Sequence, residues 1–241
     1  MKYAFTELTQ NIATRKFGGT TVGVADPYVT GYHYIWFEKL PSALPQYVGG
    51  QNSLISDLGQ IQNILAATCL SVTPPGGTLN TVEFTGLGGI KWAVPGNIDY
   101  GNEVSIKFFE FSKTPLLDIM HGWIKMMRDY RVGISNLPDK DDGSGYTKST
   151  YAALLYYWTT APDGVTVEYY ACYDGVFPKK DPQDLFTSDV ETVGRLDMEI
   201  PFNVDYAWHE PWVLSRCTTL ANKFSGVFEK VKKYGQSESG Q

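Results

Sequence analysis

The stretch EVSIKFFEFSKTPLLDIMHGWIKMMRDY, residues 103–130, contains a strand pattern followed directly by a helix pattern. From Glu103 to Phe108 apolar and polar residues alternate, which predicts a strand with one buried face. After Thr114 and Pro115, which are suited to capping and opening a helix, apolar residues recur at steps of three and four. We expect this apolar stripe to pack on the core through Leu116, Ile119, Met120, Trp123, Met127 and Tyr130. The stretch therefore predicts an α+β fold, with the helix across an open end or face of a sheet.

Short strands precede this stretch. Four runs rich in β-branched and aromatic residues occupy residues 30–40, 67–73, 78–85 and 90–94. The turn sequences PPGG and GLGG separate the last three runs, and we expect another turn at PGN, residues 95–97. Within the third run Val82 and Phe84 alternate with polar residues, so one face of this strand should be buried. This spacing of strands and turns predicts an antiparallel sheet.

The chain beyond the helix continues in the same manner. Residues 151–160 and 165–173 are predicted strands joined by the turn APDG, and residues 195–208 are a last strand that Pro201 kinks. Helical periodicity is present at 56–65 and, more weakly, at 214–234. We expect a single domain over residues 1–241, with a core over about 29–208, insertions at 41–64 and 135–149, and an extension at 210–241.

Composition limits the classes of function. Charged residues form 19% of the chain and aromatic residues 14%, a profile suited to a surface that neighbouring subunits bury. The net charge of −6 disfavours sequence-independent binding of nucleic acid, which needs clustered Lys and Arg. The three cysteines are widely spaced and form no CxxC pair, so neither a disulfide framework nor a zinc site is predicted. With no apolar run of membrane-spanning length, we expect assembly in the cytoplasm without membrane insertion.

Motifs for catalysis, metal binding or cofactor binding are not found, and we predict none of the three. The sequence GLGGIK, residues 86–91, lacks the spacing of a phosphate-binding loop and is better explained as a hairpin turn. The acidic run at 139–142 would need a glutamate where Thr150 stands to bind calcium as an EF-hand loop does. Asp197 and Glu199 share one strand face, which is more typical of a solvated edge than of a catalytic pair. The three histidines form no metal-binding spacing; they are His33, His121 and His209.

The closing strands carry the most specific resemblance to a known family. The segment VTVEYYACYDGVFPKKDPQDLF, residues 165–186, contains a strand and a glycine-to-proline turn formed by Gly175, Val176, Phe177 and Pro178. The segment RLDMEIPFNVDYAWHEP, residues 195–211, ends in a pattern formed by Val204, Asp205, Tyr206 and Trp208. Together with the passage at 90–111 and the helix after it, this order resembles the tube proteins of contractile bacteriophage tails over residues 29–208.

That resemblance implies an antiparallel β-sandwich or partly closed barrel with one flanking helix. Six copies would form a ring, and strands from all six would close one inner barrel, which removes free sheet edges. The implied partners are further copies of the chain, the tail sheath, the baseplate hub, the tail terminator and the tape-measure protein. DNA would pass through the lumen without specific binding. The tube would be part of the virion, assembled in the host cytoplasm, and neither an enzyme nor a cofactor-binding protein.

Polar and preferably acidic side chains should line such a lumen, because like charge keeps DNA from adhering. The candidates occupy the polar phase of their strands: Thr81, Glu83, Thr85, Glu103 and Ser105. The insertion at 41–64 is a candidate contact arm between subunits. Its ring-interface candidates are Tyr47, Asn52, Leu54 and Ile55.

Three other interpretations remain open at this point. The tube of a bacterial secretion or extracellular contractile injection system shares the fold and differs mainly in its cargo. A carbohydrate-binding β-sandwich would use the abundant Tyr and Trp residues and would be a monomer with measurable sugar affinity. A β-barrel hydrolase would lose activity when Asp197 or Glu199 is replaced.

Overall fold

The computed structural model describes residues 16–17, 20–21, 31–48, 55–86, 89–128, 147–182 and 196–236, the side chains of residues 16–17 and 20–21, of Tyr100 and of residues 225–236 excepted. The strands are β1 (Lys16–Phe17), β2 (Thr20–Thr21), β3 (His33–Phe37), β4 (Cys69–Thr73), β5 (Gly77–Thr85), β6 (Lys91–Tyr100), β7 (Glu103–Phe109), β8 (Ala153–Thr160), β9 (Val167–Pro178), β10 (Asp197–Asn203) and β11 (Tyr206–Trp208). The helices are α1 (Leu44–Tyr47), α2 (Leu58–Thr68), α3 (Pro115–Met127) and α4 (Pro211–Gln236), and a short 3-10 helix spans Lys148–Thr150.

Two antiparallel sheets form the body of the fold. Sheet I contains β3, β8, β9 and β11, and sheet II contains β10, β7 and β4. They are joined where Pro178 and Phe177, at the end of β9, pair with Phe202 and Asn203 at the end of β10. Strands β5 and β6 form a separate two-stranded hairpin. The predicted mainly antiparallel α+β fold is confirmed, with more helices than the one expected, and no closed barrel is found in the described part of the chain.

The core lies between the two sheets. Sheet I contributes alternate side chains such as Ile35, Phe37 and Leu155, while the inward residues of sheet II are Val104, Ile106, Phe108, Met198, Ile200 and Phe202. The rings of Phe37 and Phe202 face each other across this core with centroids 5.8 Å apart. In residues 103–108 and 196–200, the apolar residues of the alternating pattern are therefore those that point into the core from sheet II.

Helix α3 closes the core against both sheets. Its apolar stripe is fully buried at Leu116, Ile119, Met120 and Trp123, whereas Met127 is half-buried against the same core and Tyr130 lies outside the described residues. The Trp123 ring lies 6.1 Å from Phe37 of sheet I and 6.3 Å from Phe202 of sheet II. Its indole nitrogen donates a hydrogen bond of 2.7 Å to the carbonyl of Tyr151.

The start of α3 differs from the prediction. Thr114 has a left-handed backbone, with φ of 51°, and its side chain makes no capping hydrogen bond. The carboxylate of Glu110 takes that role, accepting hydrogen bonds from the backbone N–H groups of Leu117 at 2.8 Å and Leu116 at 3.2 Å. A negative charge at this helix end also interacts favourably with the helix dipole. Burial nevertheless raises the pKa of the Glu110 carboxyl, although the backbone hydrogen bonds act in the opposite direction.

The weak helical pattern at 214–234 corresponds to α4, which begins at Pro211 and covers the outer face of sheet I. On the sheet side the buried residues are Tyr156, Trp158 and Cys172. Those of the helix are Val213, Cys217, Leu220 and Ala221. Sheet I is consequently covered on both faces, by the core on one side and by α4 on the other.

Two predicted turns are parts of strands. The PGN sequence lies within β6, where Pro95 pairs with Thr81 and a register shift follows between Leu79 and Thr81. A β-bulge of this kind accommodates a proline that cannot donate to the ladder. The predicted Gly175–Pro178 turn is the end of β9, with Gly175 at φ of 71° beside another register shift. Of the 135–149 insertion, residues 135–146 lie outside the described residues.

Candidate assembly surface

The β5–β6 hairpin is exposed on both faces in the single chain. Every residue of β5 is exposed, and neither core cluster contains a residue of the hairpin. The prediction that this strand buries Val82 and Phe84 is therefore wrong for the single chain, where their side chains are 48% and 51% exposed. No other described element covers this face, because the hairpin pairs only within itself.

The strand pairing sorts the hairpin into two chemically distinct faces. Val82 pairs with Val94, and Phe84 pairs with Trp92, so these four side chains share one side, which we call the apolar face. Trp92 is 58% exposed. On the opposite side, which we call the polar face, Thr81, Glu83 and Thr85 are paired with Pro95, Ala93 and Lys91. Beyond the bulge, Leu79 and Ile98 form a further exposed apolar pair.

The apolar face is a contiguous patch on a single hairpin. At about 150–250 Å² per whole aromatic side chain and less for valine, with about half of each side chain exposed, its four residues offer roughly 200–350 Å² of apolar surface. The largest apolar patch on a monomer is about 300–600 Å² and is often functional. A two-stranded hairpin without a covering layer is also only marginally stable in water. Both arguments predict that another protein surface covers the apolar face.

The five lumen candidates lie on two separate surfaces. Thr81, Glu83 and Thr85 are on the polar face of the hairpin, whereas Glu103 and Ser105 are on the outer face of sheet II. Glu103 forms an ion pair with Lys179 at 2.7 Å. The outer face of sheet II is thus mixed in charge, and a single chain does not bring the five candidates together.

The carboxylate pair considered as a possible catalytic dyad is on the same outer face of sheet II. Asp197 forms an ion pair with Lys107 at 3.3 Å, and Glu199 is exposed and opposite Lys107 in the strand register. Asp197 is half-buried and Glu199 is exposed, so both carboxylates stand at a strand surface and not inside a pocket.

Of the four ring-interface candidates, two lie within the described residues. Tyr47 is half-buried at the end of α1, where its backbone carbonyl packs closely against Gly122 of α3. Ile55 is only 8% exposed and belongs to the core, so it is not on the surface of the single chain. Asn52 and Leu54 lie outside the described residues.

A second exposed aromatic surface was not predicted as a surface. Tyr206 and Trp208 of β11 and Trp212 of α4 form a continuous ladder of rings, which we call the aromatic ridge. The ring centroids of Tyr206 and Trp208 are 4.4 Å apart, and those of Trp208 and Trp212 are 6.2 Å apart. Tyr206 is 53% exposed and Trp212 is 47% exposed. In the sequence, Tyr206 and Trp208 stand out only as part of a family pattern. Trp212 does not belong to that pattern, and the turn before α4 brings it beside the other two rings.

An open groove of about 670 Å³ runs along the ridge. Trp208 and Trp212 line one part of it, and the ion pair between Arg216 and Glu38 lines another. A smaller cavity of about 380 Å³ connects Tyr206 with the glycines at the base of the hairpin, Gly76, Gly77 and Gly101. The ridge and the hairpin are therefore neighbouring features of the same chain.

The chemistry of the remaining described side chains is structural in character. The Nδ1 atom of His121 lies 2.9 Å from Oδ2 of Asp181. Burial raises the pKa of the Cys172 and Cys217 thiols to about 12, which keeps both protonated near neutral pH. Within the described ranges, no group of three or more His, Cys, Asp and Glu is arranged to hold a metal ion. None of the helices described here combines the length and apolar character needed to cross a membrane.

Comparison with known proteins gives matches among solved structures alone. No protein-family model matches the chain, and no curated protein matches it. One similar structure is a sheath/tube terminator of the extracellular contractile injection system PVC, at 15% identity and a TM-score of 0.44, covering 77% of this chain and 97% of that one. A PVC sheath-tube complex matches at 14% identity and a TM-score of 0.43, covering 77% of this chain and 92% of the other.

The tube-terminating cap of the anti-feeding prophage is similar in the same degree. Its identity is 12% and its TM-score 0.45, with 80% of this chain and 97% of that chain covered. A likeness at these identities and TM-scores does not establish a shared function.

Proposed function

We propose that this chain is a non-catalytic structural subunit that assembles with copies of itself into the inner tube of a contractile tail-like machine. The observation that carries the proposal is the apolar face of the hairpin, which the chain's own core leaves uncovered. An enzyme or a solitary binding module has no need of a protruding hairpin with four exposed apolar side chains. A subunit that buries this face against its neighbour does.

A second copy of the chain is the partner that fits best. Among the described strands, β5 and β6 pair only with each other, so within this part of the chain both outer edges of the hairpin are left open. Closing these edges against strands of other copies would satisfy the backbone and cover the apolar face in the same contact. The small net charge of −6 on 241 residues keeps repulsion between copies low.

The finer proposal is a contractile phage tail tube made of stacked hexameric rings, through which DNA is ejected. Its lumen would combine the polar face of the hairpin, with Glu83, and the outer face of sheet II, with Glu103. Polar and acidic groups at these positions would let a polyanion pass without binding. The tube would be assembled in the host cytoplasm and would contact sheath, hub, terminator and tape-measure proteins. As a tube of a contractile injection system, the same subunit would differ in cargo alone.

Electron microscopy of the purified chain in negative stain tests this proposal. We expect rings or hollow tubes with six-fold end views at high concentration, and a loss of both in Phe84→Ser. Thr85→Ser is the matched control, because Thr85 is the next residue on the opposite face of β5 and should leave assembly unchanged. Wild-type chains that stay monomeric even when a baseplate nucleus is supplied would refute the proposal.

A carbohydrate-binding module is the second candidate, because the aromatic ridge resembles the stacked rings on which sugars bind. This function predicts a monomer with measurable affinity for oligosaccharides. It leaves the hairpin without a role, and for that reason we place it second.

A further inference from the structure

The aromatic ridge is the other exposed apolar surface near the hairpin, and within the described residues Tyr206 and Trp212 stay about half exposed. We infer that the ridge of one copy is the receptor for the apolar face of a neighbouring copy's hairpin, so that subunits join head to tail. This inference rests on the proposed self-assembly and names the two surfaces that meet in it.

The repeat that a ring or tube requires argues for a receptor that differs from the hairpin. The apolar face alone, at roughly 200–350 Å², is less than half of the about 800 Å² that each partner buries in a standard interface, so neighbouring surfaces must take part in the contact. Two hairpins that packed against each other would bury only these faces and would close a dimer, because the same surface would be used twice. A hairpin that packs on a distinct receptor leaves each copy with one free hairpin and one free ridge. Such a contact repeats into a ring or a filament.

The ridge has the chemistry that the hairpin needs. Phe84 and Trp92 present two large rings, and aromatic rings pair favourably with the rings of Tyr206, Trp208 and Trp212. Aromatic side chains are also enriched where proteins meet, in contrast to an ordinary solvated surface. The groove beside Trp208 and Trp212 provides the concave shape into which a two-stranded hairpin can be laid.

The chain's own hairpin leaves this receptor open. Tyr206 lines a cavity together with Gly76, Gly77 and Gly101 at the base of the hairpin, and still it is 53% exposed. Trp212, further along the ridge, is 47% exposed. The base of the hairpin therefore lies beside Tyr206, and both the ridge and the apolar face remain exposed on the described part of the chain.

Thiol cross-linking between two differently labelled variants tests the contact directly. Val82→Cys places a thiol on the apolar face, and Thr219→Cys places one in the groove beside the ridge. A short bismaleimide should link the two variants when they are assembled together, and neither variant should form a covalent dimer alone. The natural thiols Cys172 and Cys217 are buried and have pKa values raised to about 12, and the half-buried Cys69 is replaced by serine in both variants. Thr85→Cys mixed with Thr219→Cys is the matched control and should give no product.

A charge placed on the ridge provides a second measurement. Trp212→Asp should raise the concentration needed for assembly by about 10-fold or more, measured by sedimentation velocity. Thr218→Asp adds the same charge at another exposed position of α4 and should assemble like the wild type. Circular dichroism of both variants should match the wild type, because the replaced side chains are exposed.

The outcomes separate the two proposals. Wild-type chains that never assemble would overturn the proposed function together with this inference. Normal assembly of Trp212→Asp, or covalent dimers of Val82→Cys alone, would overturn only the inference, the latter by showing hairpin-to-hairpin contact. Loss of oligosaccharide binding in Trp212→Asp with assembly unchanged would instead assign the ridge to sugar.

Discussion

Replacing Gly175 by alanine tests the geometry at the end of β9, where the chain passes from sheet I to sheet II. Gly175 has φ of 71°, a conformation that alanine adopts only with strain. An alanine Cβ would also lie 2.2 Å from Oδ2 and 2.6 Å from Cγ of Asp205. The Asp205 side chain would have to move, although Lys148 forms an ion pair with it and Asn203 donates a hydrogen bond of 3.1 Å to it.

The expected cost follows from these contacts. The left-handed backbone costs alanine about 1–2 kcal/mol. Moving Asp205 gives up one hydrogen bond, worth about 1 kcal/mol, and an exposed ion pair worth at most about 1 kcal/mol. The lower entropy of the unfolded alanine chain offsets about 0.4–1 kcal/mol. We therefore expect Gly175→Ala to lower the free energy of unfolding by about 2 kcal/mol and Tm by about 4–8 °C.

Urea unfolding followed by tryptophan fluorescence measures this change, and two variants isolate its causes. Gly164 also has a positive φ, 76°, but its alanine Cβ would meet nothing closer than Tyr32 at 3.7 Å. Gly164→Ala should therefore cost only about 0.5–1 kcal/mol. In an Asp205→Gly background, which removes the Asp205 Cβ at 3.1 Å as well as the carboxylate, Gly175→Ala should cost the same small amount. If Gly175→Ala is no more destabilising than Gly164→Ala in the wild-type chain, the reasoning from the Asp205 contact is refuted.

Three further perturbations address other parts of the fold. Glu110→Ala removes the carboxylate that caps α3, and it should lower the free energy of unfolding in urea by about 1–2 kcal/mol. The control Glu199→Ala, at an exposed position, should change it by less than about 0.5 kcal/mol. The raised pKa of about 12 predicts that the thiols of Cys172 and Cys217 react with Ellman's reagent at pH 8 only after unfolding. Hydrogen bonds from Thr166 lower the pKa of the Asp163 carboxyl below 3.8. The wild type should therefore be more stable than Asp163→Asn at pH 7, and this difference should disappear as the pH falls below 3.8. Thermal unfolding at several pH values measures it.

Each of these expectations can fail in a recognisable way. Equal stability of Glu110→Ala and Glu199→Ala would show that the α3 start does not depend on its cap. Fast reaction of Cys172 and Cys217 in a folded Cys69→Ser variant would show that β9 and α4 separate readily. A stability difference for Asp163→Asn that persists unchanged at low pH would show that the charge of Asp163 is not its cause.

Local patterns predicted the elements better than the contacts between them. The alternation at Val104, Ile106 and Phe108 and the stripe of α3 describe inward faces, because each is set by a repeat within one element. The cap of α3 was assigned to Thr114 instead of Glu110, because the backbone folds back at Thr114 and brings a more distant carboxylate to the helix end. Gly175 was placed in a turn, although a glycine with positive φ serves equally in a β-bulge.

The candidate surfaces illustrate a different limit. The alternation at Val82 and Phe84 identified a face that avoids water, and the strand pairing agrees with it. Alternation does not specify whether the covering surface belongs to the same chain, and in the single chain none of the described elements supplies it. The aromatic ridge depends on the turn between β11 and α4, which places Trp212 beside Trp208, and no repeat in the sequence encodes that contact.

The separation of the hairpin from both core clusters has a consequence for how this protein evolves. Substitutions in β5 and β6 meet few demands from the folding of their own chain, since the hairpin residues lie outside the packed interior. Natural selection on folding and natural selection on recognition therefore act on different sets of positions. A lineage is free to acquire a new binding specificity by exchanging hairpin residues while its body keeps the same ancestral shape.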